Sequence, residues 1–353
     1  MTLATTLQHQ AAHLGFNRIG ITPATPSPTL DAYLAWVEAQ HYGEMAYLAR
    51  PDRVARRQDL SVILPQARSL IMVALDYSTL QPPADLLNDP TRGRISNYAW
   101  GVDYHELMTP RLEALAKWLR NHLPPDETMQ WRVYVDTGPI LERSHAQQAG
   151  LGFIGKNTML IHPKAGSHFF LGEILTTYAF DRYDTPHRAT MCGNCTRCLN
   201  ACPTHAFPQP YVLDARKCIS YLTIELKNAI PIDLRPRMGN WVYGCDICQQ
   251  VCPWNRFAIQ TLETDFFPVI ADQIAPSLFD LLALTEDTFR ERFAQSPILR
   301  IGRARLVRNA CVAAGNSGQG GFLEILQGLA NHDESPLVRE HAAWAIRQLT
   351  SQD

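Results

Sequence analysis

The sequence predicts an α+β protein in three parts: an N-terminal α/β domain over residues 1–180, a cysteine-rich module over 181–262 and an all-α part over 263–353. Three observations carry this expectation. The first 180 or so residues alternate helical and strand periodicities. Eight of the nine cysteines fall between Cys192 and Cys252. Beyond Phe267 the apolar pattern is helical, and Leu306-Val307-Arg308 recurs 31 residues later as Leu337-Val338-Arg339, each triplet opening an Ala-rich helix. That spacing suggests HEAT-like helical pairs, with chance similarity between two amphipathic helices as the alternative.

Taken in order, Leu3 to Leu14 reads as a helix, Arg18 to Thr22 as a short strand, Leu30 to Gln40 as a helix and Ser69 to Leu75 as a buried strand. Leu112 to Leu123 is again helical. Trp131 to Asp136 alternates as a strand and ends at the Thr137-Gly138-Pro139 turn, after which Pro139 serves as the first-turn residue of a helix running to Gly150. Met159 to Ile161 and Phe169 to Tyr178 supply further strands. A polar linker, Asp181 to Thr190, introduces the cysteine module, and prolines 208, 210, 231 and 236 mark loops inside it.

A chain of 353 residues with 46% hydrophobic residues has room for two or three domains with cores of their own. The longest apolar stretches, such as Phe169 to Phe180, are broken by Glu173 and are too short to cross a bilayer. Met1 to Phe16 has no basic n-region and no continuous apolar segment, so it reads as an amphipathic helix and the expected location is cytoplasmic, with no membrane partner. The net charge of −2 gives no global sign of a nucleic-acid binder. Locally, however, no acidic residue stands between Glu291 and Glu324, and Arg292, Arg300, Arg303, Arg305 and Arg308 fall in the first half of that interval. Such a run is either a solvated helix face or a phosphate-binding patch.

The cysteines are the most specific signal. Cys192-x-x-Cys195-x-x-Cys198-x-x-x-Cys202-Pro203 has the spacing with which bacterial ferredoxins hold cubane clusters. Cys245-x-x-Cys248-x-x-x-Cys252-Pro253 repeats its last three positions; Val242 stands where the leading cysteine would be, and Cys218 replaces it. Eight thiolates match two 4Fe-4S clusters, and four cysteines within eleven residues crowd a tetrahedral zinc site. In two-cluster ferredoxins the fourth cysteine of each run crosses over, which assigns Cys192, Cys195, Cys198 and Cys252 to one cluster and Cys202, Cys218, Cys245 and Cys248 to the other. Cys311, within an apolar stretch, reads as a core thiol.

Clusters pass single electrons, so the acceptor should lie in the N-terminal domain. Three segments there are dense in polar, glycine and aromatic residues: Ser96 to His105, Val135 to Arg143 and Gly152 to Thr158. None is a Rossmann or P-loop fingerprint. Asp136, where strand meets turn, is either a helix cap or a catalytic acid. Glu142 and Arg143 read as a solvated pair, and Gly152 and Gly155 as tight-turn glycines or points where the backbone approaches a bulky ligand.

The combination of Asp136-Thr-Gly-Pro-Ile-Leu-Glu-Arg143, Gly155-Lys-Asn157, Gly166-Ser-His-Phe-Phe-Leu-Gly-Glu173, the first cysteine run and Cys218-Ile-Ser-Tyr-Leu-Thr-Ile-Glu225 resembles the epoxyqueuosine reductases over nearly the whole chain. The resemblance implies a cobalamin enzyme related to reductive dehalogenases. Its clusters would reduce the cobalt one electron at a time, and it would remove the epoxide oxygen of epoxyqueuosine at the tRNA wobble position, the last step of queuosine synthesis. It further implies Asp136 as proton donor, its acidity weakened by burial, and Arg57, Tyr98, Asp136, Lys156, Asn157, Thr158, Ser167 and Ser220 as cobalamin contacts. The family's Arg-x-Asp-Pro appears as Arg57-Gln58-Asp59-Leu60, without the proline. No Asp-x-His-x-x-Gly motif offers a histidine to the cobalt. The implied partners are a tRNA with a queuosine-type anticodon, gripped by Arg143, Arg300, Arg303, Arg305 and Arg308, and an external electron donor, whether a reductase, a ferredoxin or a flavodoxin; the chain is expected to be a monomer. A dehalogenase-like reductase of a small molecule and a ferredoxin-type electron carrier are the alternatives.

Overall fold

The structure is a computed structural model that describes residues 2–188 and 190–351. Thr2 accepts from the Thr5 N–H and so caps α1 (Leu3–His13); β1 (Arg18–Pro23), α2 (Leu30–Glu38), α3 (Pro51–Gln58) and β2 (Ser69–Asp76) follow. A short α4 (Ala84–Asn88) and the two-residue β3 (Arg94–Ile95) lead to the long α5 (Tyr104–Asn121). Then come β4 (Trp131–Tyr134), α6 (Glu142–Gln148), the antiparallel pair β5 (Phe153–Ile154) and β6 (Leu160–Ile161), and β7 (Phe169–Thr176).

The main sheet has the order β1-β2-β7-β4, and every neighbour pairs antiparallel. This corrects the expectation of an α/β domain: the N-terminal part is an antiparallel sheet with helices on both faces. The physical reason is visible in β2, whose eight residues are all buried. A strand covered on two sides reads as one apolar run whichever way it pairs. On one face Leu7 and Ala11 of α1 and Met108, Leu112 and Leu115 of α5 pack with Ile71, Val73 and Ile174. On the other, Leu60, Leu64, Ala146 and Leu151 pack with Leu70, Met72 and Leu175.

Two boundaries also move. Helix α5 starts at Tyr104 rather than Leu112, because the Asp103 side chain accepts from the His105 N–H and opens the helix a full two turns earlier, with Pro110 tolerated inside it. Helix α6 starts at Glu142 rather than Pro139, and Leu141 stands at its N-cap without a side-chain bond. Asp136 therefore caps no helix.

The cysteine module holds α7 (Arg197–Ala201), α8 (Ile219–Ile224), β8 (Trp241–Tyr243) and α9 (Ile247–Gln250); β8 pairs parallel with β3 and ties the module to the first domain. Helices α10 (Leu278–Leu282), α11 (Glu286–Arg292), α12 (Gly302–Asn316), α13 (Leu323–His332) and α14 (Pro336–Thr350) complete the chain. The apolar core does not divide at residue 262. A single cluster of buried side chains runs from Ile95 and Trp100 through Leu222 and Tyr243 to Leu306, Cys311 and Leu349. Among the described residues no helix is long and apolar enough to cross a membrane.

Helix α12 lies inside that core, and this corrects the reading of its arginines as a phosphate-facing surface. Arg308 is fully buried and donates to the carbonyls of Leu222, Leu226 and Asn228 and to the Asn309 side chain. Arg303 is paired with Asp333 at 2.6 Å and also donates to the Leu284 carbonyl. Arg305 spends its donors on the carbonyls of Ile301, Ile224 and Arg300. Buried carbonyls at the ends of α8 and its following loop need donors, and these cations supply them.

Candidate active site

Asp136 sits two residues past the end of β4, with its backbone in the left-handed region at φ +50°. Aspartate tolerates this conformation better than most side chains. The twist is held by the Thr137 N–H donating to the Val135 carbonyl at 2.7 Å. Gly138 is forced next to it: a Cβ there would meet the Tyr134 ring at 2.6 Å. As a result the carboxyl group points off the sheet edge and is 45% exposed.

The start of α5 grips this carboxyl group. The Tyr104 hydroxyl donates to Asp136 Oδ2, and His105 Nε2 lies 3.1 Å from Oδ1. His105 Nδ1 is 2.7 Å from Asp103, the residue that caps the helix. Burial works against a charged imidazole here, but the hydrogen bonds to Asp103 and Asp136 win and raise His105 to about 9. At neutral pH it is a cation wedged between two carboxyl groups. Tyr104 stacks between His105 and Phe170, with ring centroids at 4.2 and 4.0 Å, and burial together with the Asp136 charge pushes its hydroxyl up. Asp103, Tyr104 and His105 belong to a segment conspicuous in the sequence for its polarity, yet nothing local to it pointed to Asp136.

Beneath Asp136 lies a second acidic pair. Glu173, in the middle of β7, is fully buried and neither of its oxygens has a hydrogen-bond donor. Glu142 lies beside it, within reach of the Asp136 N–H. Burial first, then the Asp136 charge, raise Glu142 to about 8, and burial with Glu142 nearby pushes Glu173 well above the carboxylate range. The pair retains protons at neutral pH. Glu142 thus stands between the buried Glu173 and the exposed Arg143 and feels both; the sequence signal for Glu173 was the carboxylate interrupting an apolar strand.

Around the mouth, Tyr47 feels the charges of Glu225, Arg300, Asp136 and Arg57. Arg300 pairs with Glu225 at 3.0 Å and also neighbours Tyr98, Tyr104 and Tyr243. It therefore belongs to this site and not to a helix surface. Arg57 is buried, with its guanidinium over the Tyr33 ring at 5.3 Å. Arg143 is exposed and donates to the Thr158 carbonyl at 2.5 Å. Thr158 itself is left-handed at φ +65°.

The loop holding Lys156 to Thr158 joins this site to the cysteines. Lys156 Nζ donates to the Gly193 carbonyl at 2.7 Å, and Asn157 Nδ2 to the Cys248 carbonyl at 3.3 Å. Asn157 and Ser167 are both buried, and Ser167 Oγ is taken up by Asn255 and Gln249. They brace the loop and the sheet against the cysteine module. Gly152 serves the β5–β6 pair, where a Cβ would meet the Ile161 carbonyl at 2.5 Å. Ser220 is half-buried at the start of α8, directly after Cys218.

The eight thiols lie close together. Cys198 has Cys192 and Cys252 as neighbours, Cys252 has Cys192 and Cys195, Cys245 has Cys218 and Cys248, and Cys248 lies between the two groups, near Cys218, Cys198 and Cys202. Cys218 in turn neighbours Cys202. Among the described residues no group of three or more His, Cys, Asp or Glu side chains is close enough to hold a single metal ion. Eight thiols of this spacing in sequence match the ligand set of two cubane clusters.

Comparison with known proteins agrees with this geometry. Residues 57–137 match the family model described as "Epoxyqueuosine reductase QueG, DUF1730", and residues 191–255 match that of a 4Fe-4S double cluster binding domain. The epoxyqueuosine reductase of Escherichia coli K12 is 41% identical over 98% of this chain and 89% of its own length. That of Synechocystis is 44% identical over 83% of this chain and 98% of its own. Among solved structures, an epoxyqueuosine reductase with an epoxyqueuosine-modified tRNA-Tyr stem loop is 33% identical with a TM-score of 0.89, covering 98% of this chain and 90% of that one. The Streptococcus thermophilus enzyme is 29% identical with a TM-score of 0.88, covering 100% and 92%. By sequence over almost its full length, by fold and by its paired cysteine quartets, this chain belongs to the epoxyqueuosine reductase family.

Proposed function

We propose that this chain reduces epoxyqueuosine to queuosine at the wobble position of tRNA anticodons, using cobalamin and two 4Fe-4S clusters. The observation that carries the reading is Asp136, presented off the sheet edge and held by Tyr104 and by the His105 cation, between the cysteine module and the Arg300 side of the site. Loss of the epoxide oxygen as water takes two electrons and two protons. Bound cobalamin would supply a low-valent cobalt able to attack the strained epoxide.

The protein's own part is proton delivery and positioning. Asp136 hands a proton to the oxygen released as the ring opens, since a positioned acid makes expulsion of an alkoxide far easier near neutral pH. Its side chain is 45% exposed, and the Tyr104 hydroxyl and the protonated His105 fix its orientation towards that oxygen. Arg57, Tyr98, Lys156, Thr158 and Ser220 border the space for the corrin. Arg143 and Arg300, the cations left exposed near the site, meet tRNA phosphates, and these contacts position the anticodon without reading sequence. The two thiol quartets receive electrons from an external donor. The chain acts as a cytoplasmic monomer, where reduced thiolates and tRNA coexist, and α12 to α14 form a HEAT-like unit within a three-part chain.

The test is anaerobic single-turnover reduction of an epoxyqueuosine-containing stem loop. Asp136→Asn should keep its iron and cobalamin and lose roughly two to four orders of magnitude in rate. Near-normal turnover in that variant would remove Asp136 from the chemistry.

A further inference from the structure

On the side of the cysteine module formed by α7 and α9 there is a groove of about 980 Å³ that shares no lining residue with the site around Asp136. Its floor includes Cys252, a member of the first thiol quartet, with Val251 and Pro253. This quartet is the outer one. Gly193, Asn194, Thr196 and Arg197, which separate its cysteines, are all exposed, whereas Ile219, Gly244, Asp246 and Gln249, beside the second quartet's cysteines, are buried.

The groove has a consistent charge. Arg94, Arg197 and Arg256 line it against one carboxylate, Asp246. Asp246 is buried, and its oxygens are occupied by the Ser96 hydroxyl and the Asn97 N–H. Arg94 is tied to the Leu87 carbonyl and contributes charge alone. Arg197 and Arg256 are exposed, with no ion pair among the described residues, and Arg256 rests on the Phe257 ring at 4.5 Å. Directly after Arg256 come apolar side chains that face solvent: Phe257 at 39%, Ile259 at 51% and Leu262 at 90% exposure. A cationic groove followed in the chain by exposed apolar side chains suits a protein surface better than an RNA backbone, which offers phosphates but little for apolar side chains to bury.

We propose that this groove docks a small acidic one-electron carrier protein of the ferredoxin or flavodoxin class, which delivers electrons through the Cys252 side of the outer quartet. The proposal rests on the reading of this chain as an electron-consuming reductase. In each encounter the carrier is oxidised by one electron and the outer cluster reduced by one, with no proton transferred. The arginines steer the acidic partner and set its on-rate, and Phe257, Ile259 and Leu262 supply the apolar contact that holds it.

The experiment uses cluster-loaded, cobalamin-loaded protein and an acidic flavodoxin in its hydroquinone form. Wild type should bind it with an affinity that falls as salt rises. Arg197→Glu with Arg256→Glu should weaken binding and slow flavodoxin oxidation by about tenfold or more at low salt, and flatten the salt dependence. Leu262→Ser should weaken binding without changing the salt dependence. Iron content, affinity for the tRNA stem loop and reduction by photoexcited deazaflavin, a neutral small reductant, should stay at wild-type values. Unchanged flavodoxin kinetics in the charge-reversed protein would overturn the proposal. Weakened stem-loop binding with unchanged flavodoxin kinetics would do so as well, and would make the groove an RNA surface. Flavodoxin oxidation is read without RNA, so failure of the epoxide reduction itself registers separately, as lack of substrate turnover with deazaflavin.

Discussion

His105→Gln keeps a donor near Asp136 but removes the charge, so it isolates what the imidazolium contributes. Moving a histidine from its ordinary 6.5 to about 9 corresponds to about 3 kcal/mol at ~1.4 kcal/mol per tenfold in binding. The His105 side chain is 25% exposed and Asp136 45% exposed, so solvent screens the pair and about 1–2 kcal/mol should remain. The sign follows from the upward shift. The folded protein binds this proton more tightly than the unfolded chain, so the stabilisation is complete at pH 6, fades from about 6.5 upward and is gone above about 9. In anaerobic thermal unfolding the variant should melt roughly 1–4 °C below wild type at pH 6, and the gap should close by about pH 9.5. Nuclear magnetic resonance titration of the imidazole should give a midpoint near 9, and the alkaline limb of the turnover profile should move in the variant. A melting gap that stays constant across this range, or an imidazole titrating at its ordinary value, would refute the account of His105 as a fixed cation.

Arg308→Met should destabilise the protein by about 3–5 kcal/mol, because it strips buried carbonyls of charged donors; stem-loop affinity measured on the folded fraction should not change. Arg300→Gln should do the opposite, weakening the stem-loop complex with a melting temperature near that of wild type. Cys218→Ala should lower iron from about eight to about four per chain, and intact iron content would show that the quartets are assigned wrongly. Glu173→Gln should be stabilising, increasingly so as pH rises above the ordinary glutamate range: a raised carboxyl costs the folded state progressively more once the unfolded chain releases its proton. Infrared difference spectra should also lose a protonated-carboxyl band, and a variant less stable at pH 8 than wild type would contradict a neutral Glu173.

Much of the chemistry was legible because it is local. The cysteine spacing reports a cluster before any fold is known, since a cubane's ligands come from one tight turn and its neighbours. Asp136 was legible for a similar reason, as a polar residue where a strand pattern meets Gly138-Pro139. The direction of strand pairing was not, because β2 and β7 are buried on both faces and carry no alternation. Helix starts slipped where a cap such as Asp103 lay outside the apolar pattern that marked the helix.

What the sequence by itself determined is the set of residues with chemical potential: eight thiols in two crossed runs, a carboxyl group at a strand end, and a family pattern that spans nearly all of the chain. Which of its charged residues are free was decided only by tertiary structure. Arg300 and Arg308 look alike in a stretch without acids, yet one is half-exposed beside Glu225 and the other is buried among carbonyls of a distant helix and loop. His105 holds its proton because Asp103 and Asp136, the latter 31 residues away, sit beside it, and Glu173 keeps its own because it is buried next to Glu142. A side chain's type is written locally, whereas its solvent, partners and protonation are set by whatever long-range packing brings beside it.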